Sequence, residues 1–373
     1  MRKIIAIDGG GTKTQCILVD ETGKVLAKLL TEGSNYDVIG IEKASTILSD
    51  AVDALIKSAL STIPLDDNKK AEPTFCRFEH DVQSHEPTSN SEPRRVLGEN
   101  KGEELAAICM GLSGLDFPAD YVLMQENLRP NVFGLEAMLY NDSWIALAAG
   151  EIQDMGAISI CGTGHNTGVM TKDGTLYGIN AMGYQLGGYG GGPMLSEYAW
   201  HRAFRSFEKT GAYTKLEETL PGLFGQANMA ELLMYIVGSN YVFPDSAEVP
   251  KLVAKLADEG DEVCVKLLHD YGKEMGEMTG RLIKHAGLGQ EEVPVILAGS
   301  VHTKMTSPIL NQGFEDEVKK YCPGADVRPV NRDPVFGAAY LAIREITKEA
   351  IDVKALFQTM DETFATAKEV QVP

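Results

Sequence analysis

The sequence predicts an α/β protein built from two similar domains. Its 373 residues exceed what a single hydrophobic core usually organises. A pattern of strand, glycine loop, strand, turn and strand occurs near the start and recurs 153 residues later, where Ile160-Cys161-Gly162 matches Ile7-Asp8-Gly9. Segments with apolar residues at helical spacing follow both copies. Buried strands that alternate with amphipathic helices are typical of an α/β fold.

Composition and charge narrow the class of protein. Hydrophobic residues make up 44% of the chain and charged residues 23%, as in ordinary globular domains. The formal net charge of −19 argues against a nucleic-acid partner or an anionic membrane surface, because the chain has no basic excess to neutralise phosphates. No run approaches the roughly 18 apolar residues of a membrane span, and the N-terminus enters a strand without a signal-peptide core. We therefore expect a cytoplasmic protein.

The first copy of the pattern is predicted over residues 3–30 and opens the first domain. The predicted strands are 3–7, 15–19, 24–30, 105–109 and 136–140, and the predicted helices are 40–62, 118–128 and 143–150. Between about 64 and 103 the chain is polar and lacks periodicity, which indicates an inserted surface loop. His80, Asp81 and His85 fall in this loop, either as solvated polar residues or as a metal site.

The second copy begins near residue 157. Strands are predicted at 157–161, 167–171, 293–298 and 325–329, and helices at 195–209, 228–238, 247–257, 260–286, 306–321 and 335–347. Six glycines between 183 and 192 predict a tight irregular loop before the first of these helices. The tail from 350 to 366 has a helical pattern.

The stretch from Ile4 to Thr14 carries the strongest chemical signal. A buried strand runs into Asp8, three glycines and two threonines. Glycines let the backbone turn sharply and bring its N–H groups against a ligand, and such groups suit phosphate oxygens. Asp8 at the mouth of the loop could hold Mg²⁺, directly or through water. The hypothesis is a nucleotide site, and the alternative is a glycine-rich hairpin without a ligand.

Other nucleotide and hydrolase motifs are missing from the sequence. It has no Walker A motif, no GxGxxG fingerprint that opens a helix after a strand, and no GxSxG around Ser113. What remains is an ordered set of four features: the first glycine loop, Asn141-Asp142 at a strand end, a second loop Gly162-Thr163-Gly164-His165-Asn166, and a late apolar strand that ends at Gly299-Ser300.

This ordered set resembles the sugar kinase–Hsp70–actin superfamily. Within it, the chain is most similar to the N-acetylglucosamine kinases and to the BadF/BadG/BcrA/BcrD ATPases that activate benzoyl-CoA reductase. The resemblance implies two ribonuclease H-like (actin-like ATPase) domains with mixed sheets flanked by helices and a central cleft. The domains would be 1–145 and 146–345, with a C-terminal helix within 346–373 that packs back on the first.

The resemblance also implies ATP and Mg²⁺ as cofactors. Asp8 would organise Mg²⁺, and the second glycine loop would cradle phosphates from the other domain. Gly299 would pass close to the nucleoside, where a side chain would clash. The residues expected to bind the cofactors are Asp8, Gly9, Gly10, Gly11, Thr12, Lys13, Gly162, Thr163, Gly164, Gly299 and Ser300.

Asp142 matches the general base of the related kinases, where a carboxylate accepts the proton of the attacking sugar hydroxyl. The alternative for Asp142 is an N-cap of the helix that begins at Ser143. The residues expected to contact the sugar are Asn35, Ser113, Gly114, Asp116, His165 and Asn166. For Asp116 the alternative is a structural acid at the start of the next helix.

One pair of residues departs from the N-acetylglucosamine kinases. Their glycine-rich loop carries an acidic pair whose aspartate holds sugar hydroxyls, and Gly188-Tyr189 stands there in this chain. Losing such a charged acceptor weakens binding by about 1.5–3 kcal/mol. Polar contacts could come instead from Tyr184, Gln185 or Glu197. The sequence therefore predicts a kinase of a sugar or amino sugar without identifying which one, and a homodimer is expected.

Two other functions stay open. An ATPase that activates a partner enzyme would need cysteines in a cleft loop for an iron–sulfur cluster. The six cysteines here are scattered without a CxxC motif, and Cys109 and Cys161 fall in predicted strands. A sugar-sensing regulator of the same fold would usually carry an N-terminal helix-turn-helix, whereas this sequence opens on its first strand.

Overall fold

The computed structural model describes residues 1–59, 104–129, 135–179, 182–244, 247–330, 332–347 and 350–372. They form two compact units, residues 1–153 with 331–373 and residues 154–330. Each unit is built on one mixed sheet with helices packed on it, which confirms the predicted class of fold. The predicted insertion at 64–103, with His80, Asp81 and His85, lies outside the described residues.

The strands and helices follow the predicted order closely. The strands are β1 (Arg2–Gly9), β2 (Lys13–Asp20), β3 (Val25–Glu32), β4 (Glu104–Leu112), β5 (Ala137–Asn141), β6 (Gly156–Cys161), β7 (His165–Met170), β8 (Leu176–Gly178), β9 (Pro294–Ala298), β10 (Asp326–Pro329) and β11 (Lys368–Val370). The helices are α1 (Tyr36–Ile39), α2 (Ile41–Ala59), α3 (Pro118–Asn127), α4 (Asp142–Ala149), α5 (Gly192–Phe207), α6 (Leu216–Thr219), α7 (Met229–Gly238), α8 (Glu248–Asp258), α9 (Glu262–His285), α10 (Ser300–Thr303), α11 (Ile309–Tyr321), α12 (Pro334–Thr347) and α13 (Val353–Phe364). Within the described ranges, no helix combines the length and the apolar run that a bilayer span requires.

The two sheets share one topology. In the first unit the strand order is β11-β3-β2-β1-β4-β5, with β1, β2 and β3 antiparallel and β1, β4 and β5 parallel. In the second unit β8-β7-β6-β9-β10 repeats the same order and the same directions. The short sequence repeat at an offset of 153 residues therefore marks a repeat of the whole sheet.

Strand β1 shows why the first unit needs helices on both faces of its sheet. Ile5 and Ile7 point to a core that includes residues of α2, and Ile4 and Ala6 point to a core that includes residues of α4, α12 and α13. All four side chains are fully buried. A strand covered on both sides reads as a continuous apolar run, which is the pattern that the sequence shows.

Helix α12 belongs to the first unit, although the predicted division at 146–345 placed it in the second. Gly337 lies against α4 so closely that a Cβ atom there would be 1.8 Å from the carbonyl oxygen of Ile145. The apolar residues of α12 also pack on β1 and β4. Helix α13 covers the same face of this sheet through Leu356 and Phe357, and β11 pairs in parallel with β3. The chain thus returns to its first sheet after the second unit.

The core of the second unit depends on a close crossing of α9 and α11. Gly272 and Gly276 lie one turn apart on α9, and a Cβ atom on Gly272 would be 1.8 Å from the carbonyl oxygen of Leu310. On α11, a Cβ atom on Gly313 would be 2.3 Å from the carbonyl oxygen of His269. Both helix backbones therefore approach each other where neither carries a side chain.

We predict that Gly272→Ala destabilises the second unit. The added methyl group would overlap a backbone oxygen, which cannot move as a flexible side chain can, so the two helices must separate. Overpacking of this kind lowers the free energy of unfolding by about 1–3 kcal/mol. Urea denaturation followed by circular dichroism measures the change.

Gly238→Ala is the matched control, because Gly238 is also helical and has open space around its Cβ position. Alanine there should leave stability unchanged or raise it by up to about 1 kcal/mol. Equal stabilities for the two variants would contradict the close crossing of α9 and α11.

Candidate active site

The first glycine loop is a tight turn between β1 and β2 with an exposed tip. The Gly10 N–H donates to the carbonyl oxygen of Lys13 at 3.0 Å, which closes the turn. Gly11, Thr12 and Lys13 are exposed. Among the described residues the Gly10 N–H is thus used internally, and the N–H groups of Gly11 and Thr12 are the loop donors left for a ligand.

The loop is fixed by close backbone contacts at its base. A Cβ atom on Gly9 would be 2.5 Å from Oγ of Ser34, and one on Gly33 would be 2.2 Å from the carbonyl oxygen of Gly11. Ser34 also donates its N–H to the Gly10 carbonyl at 3.0 Å. Gly33 is therefore required sterically, because its close neighbours are backbone atoms. A Cβ atom on Gly9 would press on the side chains of Ser34 and Leu112, and nothing lies within 4 Å of a Cβ atom on Gly11.

Asp8 lies at the end of β1 in an acidic environment. Its strand partner is Gln15 of β2, and Gln15 Nε2 donates to Asp333 Oδ2 at 2.9 Å. Burial raises the pKa of the Asp8 carboxyl to about 7, and the negative charges of Asp142 and Asp333 act in the same direction against the ammonium of Lys13. A buried carboxyl that also feels other negative charges favours a proton or a bound cation.

Asp142 is the first residue of α4 and does not cap that helix. The cap is Asn141, whose Oδ1 accepts the Ser143 N–H at 2.9 Å. The capping bond predicted as the alternative for Asp142 is therefore made by its neighbour, although the Ser143 N–H also acts on the Asp142 carboxylate. Burial raises its pKa to about 6, the charge of Asp116 adds to this, and the Ser143 N–H opposes it.

Asn35 and Ser113 are joined by a hydrogen bond from Asn35 Nδ2 to Ser113 Oγ at 3.0 Å. Asn35 Oδ1 meanwhile accepts the Asp37 N–H and caps α1. Gly114 follows with a φ of +95°, and a Cβ atom there would be 2.9 Å from Asp37 Oδ2. Three of the predicted sugar contacts are thus adjacent in the first unit.

Asp116 is linked to the predicted base through Asn141. Asn141 Nδ2 donates to Asp116 Oδ1 at 3.0 Å, and the next residue is Asp142. The structural acid at the start of α3 is Asp120, whose Oδ2 accepts the N–H groups of Asp116 and Phe117. Asp120 and not Asp116 thus caps the start of α3, while Asp116 accepts the bond from Asn141. A contact of Asp116 with a sugar stays a prediction.

The second glycine loop joins β6 to β7 in the same way. The Gly162 N–H donates to the Gly164 carbonyl at 2.9 Å, and Thr163 and Gly164 are exposed. Gly299 has a φ of +82°, and a Cβ atom on it would be 2.4 Å from the carbonyl oxygen of Cys161. The backbone of the chain therefore requires a glycine at position 299, whereas the prediction explained this glycine by a clash with the nucleoside. Ser300 is exposed at the start of α10.

His165 is buried at the start of β7 within a chain of hydrogen bonds. Ser159 Oγ lies 3.0 Å from His165 Nε2 and 3.0 Å from His302 Nε2, and His302 Nδ1 lies 2.7 Å from Asn311 Oδ1. Asn311 Nδ2 donates to the His302 carbonyl at 2.9 Å, which fixes the orientation of that amide. Burial lowers the pKa of His302 to about 4 and that of His165 to about 3, so both rings are neutral at pH 7.

These contacts determine which ring nitrogens carry protons. His302 must donate from Nδ1 to Asn311, so its Nε2 accepts the Ser159 hydroxyl proton. Ser159 Oγ then accepts from His165 Nε2, which leaves His165 Nδ1 without a proton. This nitrogen is buried and makes no hydrogen bond of ordinary geometry within the described residues, although the backbone of Tyr189 is near enough to influence the ring. A neutral imidazole of this form suits a hydroxyl donor better than a phosphate. The predicted role of His165 as a sugar contact stays a prediction, as does that of Asn166 in the same strand.

The glycine-rich loop before α5 is anchored by tyrosines. Tyr271 donates its hydroxyl to the Gly191 carbonyl at 2.6 Å, and the Tyr189 ring packs against Tyr198 and Tyr271 with centroids 6.2 and 5.0 Å away. Tyr189 thus fills a packing role at the position where the related kinases carry an acid. Tyr184, Gln185 and Glu197 are exposed.

The structure groups the predicted residues within each unit. Those in the first unit are Asp8, Gly9, Gly10, Gly11, Thr12, Lys13, Asn35, Ser113, Gly114, Asp116 and Asp142; those in the second are Gly162, Thr163, Gly164, His165, Asn166, Gly299 and Ser300. The prediction missed Gln15 and Asp333 beside Asp8, and Ser159 and His302 beside His165. A polar residue in an apolar strand, as at 15 and 159, was the available signal.

The donor set around Asp8 fits Mg²⁺. The ion prefers oxygen ligands and is usually held by one or two carboxylates, with water and phosphate completing its shell. Asp8 and Asp333 supply carboxylates, and Gln15 Oε1 is a buried acceptor without a partner among the described residues. Within those same residues, no three acidic, histidine or cysteine side chains converge to form a complete metal cage.

Comparison with known proteins assigns the family. Residues 5–199, just over half of the chain, match the BadF/BadG/BcrA/BcrD ATPase family, and the chain belongs to this family. An N-acetyl-D-glucosamine kinase of Dictyostelium discoideum is 25% identical over 91% of this chain and 97% of its own length. An N-acetylmuramic acid/N-acetylglucosamine kinase of Clostridium acetobutylicum is 24% identical over 92% of this chain and 99% of its own length.

Solved structures show the same fold. A candidate N-acetylglucosamine kinase from Chromobacterium violaceum matches with a TM-score of 0.57 and 20% identity, over 92% of this chain and 99% of its own. A ROK family transcriptional regulator matches with a TM-score of 0.56 and 11% identity, over 97% of this chain and 81% of its own. Because kinases and a regulator share it, the fold alone does not decide between enzyme and regulator.

We predict that Asp8→Asn makes the protein more stable at neutral pH in metal-free buffer. The folded-state pKa of Asp8 lies above its ordinary value, so the folded protein holds a proton that the unfolded chain releases. Its ionisation therefore lowers stability as the pH rises from about 4 to about 7, and leaves stability unaffected below that window. Asparagine cannot ionise, so the Asp8→Asn variant does not lose stability over this pH range.

Thermal unfolding in EDTA, measured from pH 4 to pH 8, tests the prediction. The melting temperature of the Asp8→Asn variant should exceed that of the wild type increasingly as the pH rises. Asp316→Asn, which changes an exposed carboxylate on α11, should follow the wild type. Parallel curves for wild type and Asp8→Asn would contradict the acidic environment assigned to Asp8.

Proposed function

We propose that the chain is an ATP-dependent kinase that phosphorylates a hydroxyl group of a sugar or amino sugar. The proposal is carried by the position of Asp142. Its carboxylate lies at the start of α4, and Asn141 rather than Asp142 is the N-cap of that helix. Family membership supports the use of ATP. The two relatives that align over nearly their whole lengths are both named as kinases of amino sugars.

In this proposal Asp142 accepts the proton of the attacking hydroxyl. Its pKa of about 6 leaves it ionised at neutral pH, yet basic enough to hold the proton as the new bond forms. Asp116 contributes by its negative charge, and Asn141 fixes the distance between the two acids through its bond to Asp116 Oδ1. Asn35, Ser113 and Gly114 are proposed to orient the sugar, together with His165 and Asn166 of the second unit.

The phosphates of ATP are assigned to the two glycine loops. The exposed N–H groups of Gly11 and Thr12 and the exposed ammonium of Lys13 are the donors that the first loop offers. Gly162, Thr163 and Gly164 are the proposed counterpart in the second unit, and Gly299 and Ser300 are proposed to contact the nucleoside. Mg²⁺, held by Asp8, would neutralise charge on the transferred phosphoryl group.

An ATPase that activates a partner enzyme is the second candidate, because the family is named for ATPases rather than for sugar kinases. That function would use thiolate ligands for an iron–sulfur cluster. The described cysteines, Cys16, Cys109, Cys161, Cys264 and Cys322, are all buried. Burial raises the pKa of the Cys161 thiol beside the second glycine loop to about 12, which disfavours a thiolate there. Cys76 lies outside the described residues.

The kinase is the better-supported candidate, while the homodimer and the cytoplasmic location stay predictions.

We predict that ADP release from ATP and Mg²⁺ is stimulated by at least one member of a panel of hexoses, amino sugars and N-acetyl sugars. The stimulated rate of Asp142→Asn should be roughly 10²–10⁴-fold lower than that of the wild type, which is the usual contribution of a general base. In the wild type, kcat/KM should fall below a pH of about 6, because the base is then protonated.

Asp316→Asn is the matched control, since it makes the same chemical change on the exposed face of α11. Its stimulated rate should equal that of the wild type. Unchanged turnover in Asp142→Asn would remove Asp142 as the base. Hydrolysis of ATP that no sugar accelerates would instead support the partner-activating ATPase.

A further inference from the structure

Gln15 is a buried amide beside the acidic group of the first unit, and the proposed chemistry does not use it. Its side chain is about nine-tenths buried, with 8% of its surface exposed. It stands directly opposite Asp8 in the β1–β2 pair, so both side chains lie on the same face of the sheet. The four residues that follow it in β2, Cys16 to Val19, are apolar and buried, whereas Lys13 and Thr14 precede it.

The orientation of the Gln15 amide is fixed by Asp333. A carboxylate oxygen can only accept a hydrogen bond, so the group 2.9 Å from Asp333 Oδ2 must be the Nε2 donor. Oε1 is therefore the other end of the amide. It is buried and has no hydrogen-bond partner among the described residues.

Leaving such an oxygen unpaired is unfavourable by about 1–3 kcal/mol. The ionised carboxylates nearby do not help, because Asp8 and Asp333 then carry oxygen acceptors like Gln15 Oε1. A proton on Asp8 would supply one donor, but only where the pH is below its pKa of about 7. The groups that would satisfy all of these oxygens are a cation or the hydrogen atoms of water bound to one. Asp333 is exposed and Asp8 is partly exposed, so the carboxylates on this side of the amide reach solvent.

We propose that Gln15 belongs to the divalent-cation site of the first unit: its Oε1 binds the ion or a water of the ion's shell, and Asp333 orients it. Two carboxylates and a neutral amide oxygen form a hard donor set with two negative charges, which matches a divalent ion such as Mg²⁺. The inference deepens the proposed kinase function, because it names residues for the ion that accompanies ATP. Asp333 is a positioning residue in this arrangement, and it is also a possible ligand through its second oxygen.

Two substitutions at position 15 should change cation affinity in opposite directions. Gln15→Met keeps the size of the side chain and removes the oxygen, so affinity should fall by about 10–100-fold, as for other supporting residues of metal sites. Gln15→Glu keeps the oxygen and adds a charge, but it loses the Nε2 donor to Asp333, as Gln15→Met also does. Because a divalent cation attracts both carboxylates and so replaces that bond, affinity should rise. In metal-free buffer the order of stabilities should be the reverse, because methionine removes an unpaired polar atom and glutamate adds like charge.

The experiment titrates Mn²⁺ into the ADP complex of the full chain and measures free Mn²⁺ by electron paramagnetic resonance. Melting temperatures in EDTA give the second readout. Gln312→Met and Gln312→Glu are the matched controls, since Gln312 is exposed on α11 in the second unit. Both controls should bind Mn²⁺ as the wild type does.

Three results would overturn the assignment: no protein-bound Mn²⁺ in the wild type, equal affinities in the wild type and both Gln15 variants, or the same loss in both. The last would show that any change at position 15 merely disturbs the strand pair. Failure of the kinase is separable, because the order of Mn²⁺ affinities does not depend on whether a sugar is phosphorylated.

Discussion

The crowding of carboxylates at the end of β1 is the constraint on which the candidate site depends. Asp8, Asp142 and Asp333 come from distant parts of the chain, and burial together with mutual repulsion raises the pKa of Asp8 to about 7. Such an arrangement is unfavourable in the isolated protein and becomes favourable when a cation enters. The proposed binding of a metal nucleotide would therefore stabilise the fold, because ligands stabilise the state that they bind.

The sheet topology creates this crowding. Strands β1, β4 and β5 are parallel, so their carboxyl ends meet at one edge of the sheet. A segment of the candidate site lies at each of these ends: the glycine loop, Ser113-Gly114, and Asn141-Asp142. Helix α12 returns to the same sheet and brings Asp333 to Gln15. The second unit repeats the order of strands but places neutral histidines, His165 and His302, beside its glycine loop. The same arrangement of strands thus places acidic side chains beside the first glycine loop and neutral histidines beside the second.

Much of this arrangement was predictable from local sequence. Apolar runs, glycine turns and helical periodicity gave the order of the elements, and the 153-residue repeat indicated two related sheets. The capping of α4 was not resolved, because Asn141 and Asp142 are both good N-caps and only the backbone angles select one. The contact of Gln15 with Asp333 spans 318 residues, and no local pattern reveals such a pair. The assignment of α12 to the first unit depended on packing against α4 for the same reason.

The central claim is that phosphate passes from ATP to a sugar hydroxyl rather than to water. Phosphorus-31 NMR of ATP, Mg²⁺ and the wild-type chain with N-acetylglucosamine, and then with the other amino sugars, identifies the product directly. A sugar-phosphate resonance that appears with ADP, and that Asp142→Asn does not produce, is the predicted result. Inorganic phosphate as the only new product, formed at the same rate with and without every sugar, would contradict it.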